Sequence, residues 1–134
     1  MIIEVVPTSL VHRVWSDTEK FLVAALQYAG DDYTIEQVRA NIARGEWLLV
    51  IASDESGIRG AAAVNIYNMP NYRVAFVVAI GGRLISNTET FEQFKGILKS
   101  FGADRVQGVG RDAIVRLWSR YGFQERYTLF EAKI

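Results

Sequence analysis

The stretch that decides the fold runs Tyr72-Arg73-Val74-Ala75-Phe76-Val77-Val78-Ala79-Ile80-Gly81-Gly82-Arg83-Leu84-Ile85-Ser86-Asn87-Thr88-Glu89. Every residue from Val74 to Ile80 is apolar, a strand-sized run, so Tyr72–Ile80 predicts a strand. Gly81-Gly82 closes it. A helix is predicted over Glu89–Ser100, where Phe91, Phe94, Ile97 and Leu98 recur at helical spacing and Gly102 ends the run. Arg105–Val109 then reads as a second strand. Strand, helix and strand in that order make a right-handed parallel crossover. The loop from Arg83 to Glu89 delivers the chain to a helix N-terminus, where unpaired backbone N–H groups and the helix dipole favour an anion.

Upstream, Ile2–Val6 is a β-branched run closed by Pro7, and Thr8 caps a short helix through Trp15. Ser16-Asp17-Thr18-Glu19 has the spacing of a capping box. It predicts a new helix carrying Phe21, Leu22, Ala25, Leu26 and Ala29 on one face and ending at Gly30. Thr34-Ile35-Glu36-Gln37 repeats that signal for a helix with Val38 and Ile42, closed at Gly45. Trp47–Ala52 and Ile58–Tyr67 are strands separated by the turn Asp54–Gly57, and Asn68–Asn71 turns the chain into Tyr72–Ile80. These hairpin-linked strands should be antiparallel. Downstream, Asp112–Tyr121 is a helix bearing Ile114, Val115, Leu117 and Trp118, and Tyr127–Ile134 is a closing strand. The expected class is α/β in the α+β sense, a central mixed β-sheet flanked by helices, in one domain over residues 1–134.

Composition narrows the chemistry. Half of the 134 residues are hydrophobic, and fifteen Lys and Arg balance fifteen Asp and Glu. No global positive field is present for nucleic acid or anionic lipid, so neither partner is expected. There is no cysteine, which excludes disulfides, thiolate catalysis and Cys-based zinc sites, and His12 is the single histidine. No G-x-S-x-G elbow, acidic calcium loop, signal-peptide pattern or membrane-length apolar run occurs. A cytoplasmic protein is the expectation.

The element order, the loop after the Tyr72–Ile80 strand and the segment Arg111–Phe123 together resemble the GCN5-related N-acetyltransferases, the GNAT superfamily. In that family an R-x-x-G-x-G/A loop holds the pyrophosphate of acetyl-CoA. The last helix ends N-x-x-A-x-x-x-Y-x-x-x-G-F, and here R-D-A-I-V-R-L-W-S-R-Y-G-F keeps the Gly-Phe pair as Gly122-Phe123. The resemblance implies a GNAT fold in which Tyr72–Ile80 and Arg105–Val109 splay at their C-terminal ends. It also implies that the last strand, around Thr128–Lys133, pairs antiparallel with Arg105–Val109. It implies acetyl-CoA as cofactor, held by the Val78 and Ile80 main chain as a pseudo-strand and by Arg83, Ser86, Asn87 and Thr88 at the phosphates. Trp118 should pack near the splay.

Several positions depart from the pattern. Ser86 and Thr88 replace the loop glycines, and the Cβ atoms they add crowd a pyrophosphate. Their hydroxyls either donate to phosphate or cap the next helix. Trp118 stands where the family has the Tyr that protonates the leaving thiolate, and an indole cannot do so. Tyr121 and Tyr127 are candidate substitutes or packing residues. The Tyr72–Ile80 strand carries no carboxylate to act as base, and Glu46, Asp54 and Glu55 sit at strand ends where turns favour them. His12 reads as a substrate-side residue or as a surface or packing one, and the basic series Arg105, Arg111, Arg116, Arg120 and Arg126 as a solvated face or, at the i,i+4 pair Arg116 and Arg120, as contacts for the CoA 3′-phosphate or an acidic partner. Two functions follow. One is an acyl-CoA-dependent N-acetyltransferase-like protein with an altered cofactor loop and no clear general acid, acting on a small-molecule or peptide amine. The other is a non-catalytic GNAT-like domain for binding or assembly, similar to phage virion or accessory proteins. A homo-oligomer is compatible with both.

Overall fold

In the computed structural model, which describes residues 1–134, the apolar run lies one strand in from the edge of a five-stranded sheet. The strands are β1 (Ile2–Val5), β2 (Leu48–Asp54), β3 (Gly57–Asn68), β4 (Arg73–Gly82) and β5 (Arg105–Gly108), arranged in sequence order. The helices are α1 (Val11–Leu26), α2 (Ile35–Ala43), α3 (Thr88–Ser100) and α4 (Asp112–Trp118). β1 to β4 pair antiparallel, and β4 pairs parallel with β5. The mixed sheet and the parallel crossover therefore stand as the sequence predicts. No helix is long and apolar enough to cross a membrane.

Both sheet faces are covered, which is why the central strands read as continuous apolar runs. On one face Trp15, Leu22, Val38 and Ile42 of α1 and α2 pack on Leu49, Ile51, Ala61, Ala63 and Ala79. On the other, Phe91, Phe94 and Leu98 of α3 pack on Val50, Ala62, Val64, Ala75 and Val77. The alanines of β3 alternate between the faces and let helices approach on both sides.

Three local expectations change. Ser16 does not start a helix. α1 runs unbroken from Val11, because Val11, Trp15, Thr18, Leu22 and Leu26 form one buried stripe that spans the supposed boundary. The Thr18 hydroxyl donates back to the Val14 and Trp15 carbonyls at 3.1 Å each, so it is satisfied within the helix. The same helix stops at Leu26, short of Gly30. α4 ends at Trp118 and tightens into a 3-10 turn over Ser119–Tyr121 before Gly122 at φ +95°. The capping box at Thr34 is present as predicted.

The closing strand is absent. Residues 122–134 form no helix or strand, and β5 is a sheet edge. Phe123 packs on Phe91 and Trp118, both ring pairs at 5.3 Å. Three residues on, the Arg126 guanidinium lies 5.7 Å from the Tyr72 ring, just before β4. The chain thus reaches the end of the sheet where β4 and β5 begin before it comes to Tyr127. Thr128–Lys133 is past the edge it was expected to pair with. The anchors at Phe123 and Arg126 displace the register.

Candidate functional site

The site is built where β4 loses its partner. β5 pairs with β4 from Val74↔Arg105 to Val77↔Gly108 and then ends, whereas β4 continues to Gly82. At the same point the register with β3 shifts: Ala63 faces Ala79 and Val64 faces Val77, so Val78 is the extra residue of a β-bulge. A bulge re-aims the strand just where its neighbour ends. Val78 and Ile80 are both half-buried along this stretch, which keeps β3 as neighbour but has no β5 partner, Val78 toward the α1 face and Ile80 toward the α3 face.

Beyond β4 the backbone turns on glycines. Gly82 has φ +69°, and a Cβ on Gly60 would lie 2.7 Å from the Leu84 nitrogen and 2.8 Å from the Arg83 nitrogen. A Cβ on Gly81 would strike the Phe21 carbonyl, so α1 crosses β4 in backbone contact there. The Arg83 N–H donates to the Arg59 carbonyl at 2.9 Å, and fully buried Leu84 pins the loop to the α3-side core.

The loop then closes on itself. Asn87, rather than Ser86 or Thr88, caps α3: its Oδ1 accepts from the Thr90 N–H at 2.8 Å. The buried Thr90 hydroxyl accepts from the Ser86 N–H at 3.0 Å and the Asn87 N–H at 3.2 Å, and donates to the Asn87 carbonyl at 3.0 Å. Two donors that could face an anion are therefore occupied. The Thr88 and Glu89 N–H groups, at the first two helical positions, have no protein partner. Arg83 is exposed and makes no ion pair; the two ion pairs in the protein are Arg44–Glu46 and Lys95–Glu92. Glu89 lies in the first turn, where its carboxylate complements the dipole.

Beside this helix start Phe91 touches Tyr121 at 5.6 Å as well as Phe123. Trp118 joins the group through Phe123. Tyr121 is thus held half-buried next to the loop, whereas Tyr127 is 71% exposed on the tail. The remaining candidates separate from the site. His12 is exposed on α1, Asp54 accepts from the Ser56 N–H in its turn, and Glu46 pairs with Arg44. Of the arginine series, Arg105 stacks on Tyr72 at 3.9 Å and Arg111 on Tyr28 at 3.8 Å. The Tyr72 hydroxyl has its pKa lowered, first by the Gln107 side-chain amide at 3.5 Å and then by the charges of Arg126 and Arg105.

Solved structures superpose on this architecture over nearly the whole chain. An aminoglycoside acetyltransferase from an uncultured soil metagenomic sample, in complex with sisomicin, matches with TM-score 0.70 at 9% identity, covering 99% of this chain and 95% of that one. A predicted acetyltransferase from Clostridium acetobutylicum, solved with acetyl-CoA, matches with TM-score 0.65 at 13% identity over 98% and 95%. An acetyltransferase of Trypanosoma brucei matches with TM-score 0.62 at 14% identity over 99% of each. This is the GNAT fold. No protein-family model and no curated protein matches the sequence. The GNAT likeness therefore lives in the backbone.

Proposed function

We propose that this chain is an acyl-CoA-dependent N-acetyltransferase-like protein whose grip on the cofactor phosphates is weakened. The fork carries the reading: β4 runs on for five residues, Val78–Gly82, beyond its last β5 pair and leads straight into a helix N-terminus. An extended pantetheine-like arm pairs with such an edge through main-chain hydrogen bonds. Val78 and Ile80 would border the arm, and Arg83 with the Thr88 and Glu89 N–H groups would meet the phosphates. When bound, acetyl-CoA supplies an activated acyl group for a small-molecule or peptide amine. Trp118 cannot return a proton to a leaving thiolate, and Tyr121, half-buried against Phe91, is the phenol we assign to that step in its stead.

One observation favours the second reading, a non-catalytic domain used for binding or assembly. The Thr90 hydroxyl already holds the Ser86 and Asn87 N–H groups. Calorimetry with acetyl-CoA separates the two. Weak binding is expected for the natural chain, and tighter binding for Ser86→Gly/Thr88→Gly, which opens room at the phosphates. If neither binds, the cofactor reading fails and the non-catalytic one stands. If both bind, Tyr121→Phe should lower turnover while leaving affinity intact.

A further inference from the structure

A cleft opens on the α1 face, at the end of the sheet where α1 crosses β4. It encloses about 420 Å³, and three of its seven lining residues are cations: Lys20 from α1, Arg59 from β3 and Arg83 from the loop after β4. No carboxylate lines it. None of the three cations forms an ion pair, since both ion pairs in the protein lie elsewhere. Like charges gathered without a counter-charge repel one another, and a bound anion relieves that repulsion. The backbone fixes the cluster. The Arg83 N–H donates to the Arg59 carbonyl at 2.9 Å, so the two arginines spring from hydrogen-bonded chain. Gly82 lies between them and the helix: a Cβ there would strike the Arg59 carbonyl and lie 2.8 Å from the Phe21 ring. The Lys20 ammonium sits 5.1 Å from the centre of that ring. Phe21 and Ile58, half-buried against the α1-side core, give the cleft an apolar wall.

We propose that this cleft is an anion site of its own, separate from the α3 start, and that it takes the phosphate or diphosphate group of a small organic molecule. A guanidinium pairs with phosphate oxygens through parallel N–H bonds, and the ammonium adds a compact charge. Three positive charges and no negative one favour a multiply charged group over a single carboxylate. The Phe21 and Ile58 wall receives the organic body of the ligand. The chain as a whole is neutral, so the attraction comes from this cluster and not from an overall field. The inference does not rest on the cofactor reading. Lys20 and Arg59 belong to neither the fork nor the loop, and only Arg83 borders both places.

Calorimetry with pyrophosphate at low salt tests it. The natural chain is expected to bind, with an affinity that falls as salt is added. Lys20→Met and Arg59→Met keep the aliphatic stem and remove the charge. Each should weaken pyrophosphate binding about tenfold or more, with an unchanged far-UV spectrum. Lys133→Met removes the same charge from the exposed tail and should leave binding as it is. No binding of pyrophosphate by the natural chain overturns the proposal, and so does equal binding by the natural chain and both cleft variants. Acetyl-CoA titrated into the same proteins shows whose phosphates the cleft serves. If Lys20→Met and Arg59→Met weaken acetyl-CoA as much as pyrophosphate, the cleft is part of the cofactor site and the separate site is lost. Pyrophosphate binding that depends on Lys20 and Arg59, in a chain that takes no acetyl-CoA, would sink the cofactor reading and leave this one standing.

Discussion

Replacing Thr90 by Val tests directly what holds the loop ahead of α3. Valine keeps the shape and the β-branch in a fully packed site, so no cavity opens; Thr90 is 1% exposed. What disappears is the acceptor for the Ser86 and Asn87 N–H groups and the donor to the Asn87 carbonyl. The carbonyl keeps its bond from the Phe91 N–H at 3.1 Å. Two donors are therefore left without a protein partner, each bond worth about 0.5–1.5 kcal/mol net. Ser86 and Asn87 are exposed, so water replaces part of the loss. The expected destabilisation is about 1–2 kcal/mol, a fall in Tm of roughly 4–8 °C for a domain of this size. The same change turns two N–H groups over to any anion at the α3 start. Saturating acetyl-CoA should therefore raise Tm more in Thr90→Val than in the natural chain, through the linkage of ligand binding to stability. Thermal denaturation with and without the ligand reads both effects. An unchanged Tm would show that the hydroxyl does not hold the loop, and an equal ligand response in both proteins would show that those donors do not face the phosphates.

Other perturbations follow from single contacts. Gly81→Ala drives a Cβ into the Phe21 carbonyl, backbone against backbone, and should cost several kcal/mol in urea denaturation, well above the ~1 kcal/mol typical of a point change. Phe94→Ala empties a fully buried ring from the α3-side core and should cost about 3–5 kcal/mol by the same measurement. Thr34→Ala removes the α2 capping box and should cost about 1 kcal/mol. The Tyr72 phenol, shifted down by Gln107, Arg126 and Arg105, should be the first of six tyrosines to ionise in an alkaline absorbance titration, and Tyr72→Phe should delete that step. Its folded pKa is depressed, so its contribution to stability is present above the unfolded pKa and lost as pH falls through the folded one. The Tyr72→Phe variant should match the natural chain at neutral pH and fall behind only in alkali.

The sheet was legible because each of its signals is local. The apolar run Val74–Ile80, the two turns before it and the helical spacing of Phe91, Phe94, Ile97 and Leu98 are written in consecutive residues, and neighbouring strands pair in chain order. Ser16 misled because a capping box is a local signal, and the buried stripe from Val11 to Leu26 is a tertiary one that overrode it. The closing strand failed for a related reason. Its residues have the composition of a strand, but pairing also depends on where Phe123 and Arg126 anchor the chain, and neither anchor is visible in the spacing. At the site, the positions of Arg83 to Asn87 in a loop ahead of a helix could be read directly, whereas Thr88 is already the first residue of α3. The role of Thr90 was missed. A Thr three residues after Asn87 is the available sign, since an N-cap residue followed at that interval by a side-chain acceptor is the capping-box spacing with Thr in place of Glu or Gln.

The glycines show how tightly the backbone is packed ahead of α3. Gly60, Gly81 and Gly82 are all consumed in letting β3, α1 and the loop approach one another, ahead of the segment that would face a pyrophosphate. Within that segment no residue other than glycine has a positive φ anywhere in the chain, so Ser86 and Thr88 sit in relaxed backbone. The left-handed penalty of about 1–2 kcal/mol that a required positive φ would impose does not arise. Glycine at these positions therefore relieves no strain, and at Thr88, the first residue of α3, it adds a backbone entropy cost of roughly 0.5–1 kcal/mol. Any affinity gained by Ser86→Gly/Thr88→Gly must come from the space two Cβ atoms vacate, set against a less stable helix start. Thr90→Val acts on the other variable, the hydrogen-bonding state of the donors, and leaves the space unchanged. If room is the limit, the glycine pair restores binding and the valine does not; if donors are the limit, the order reverses.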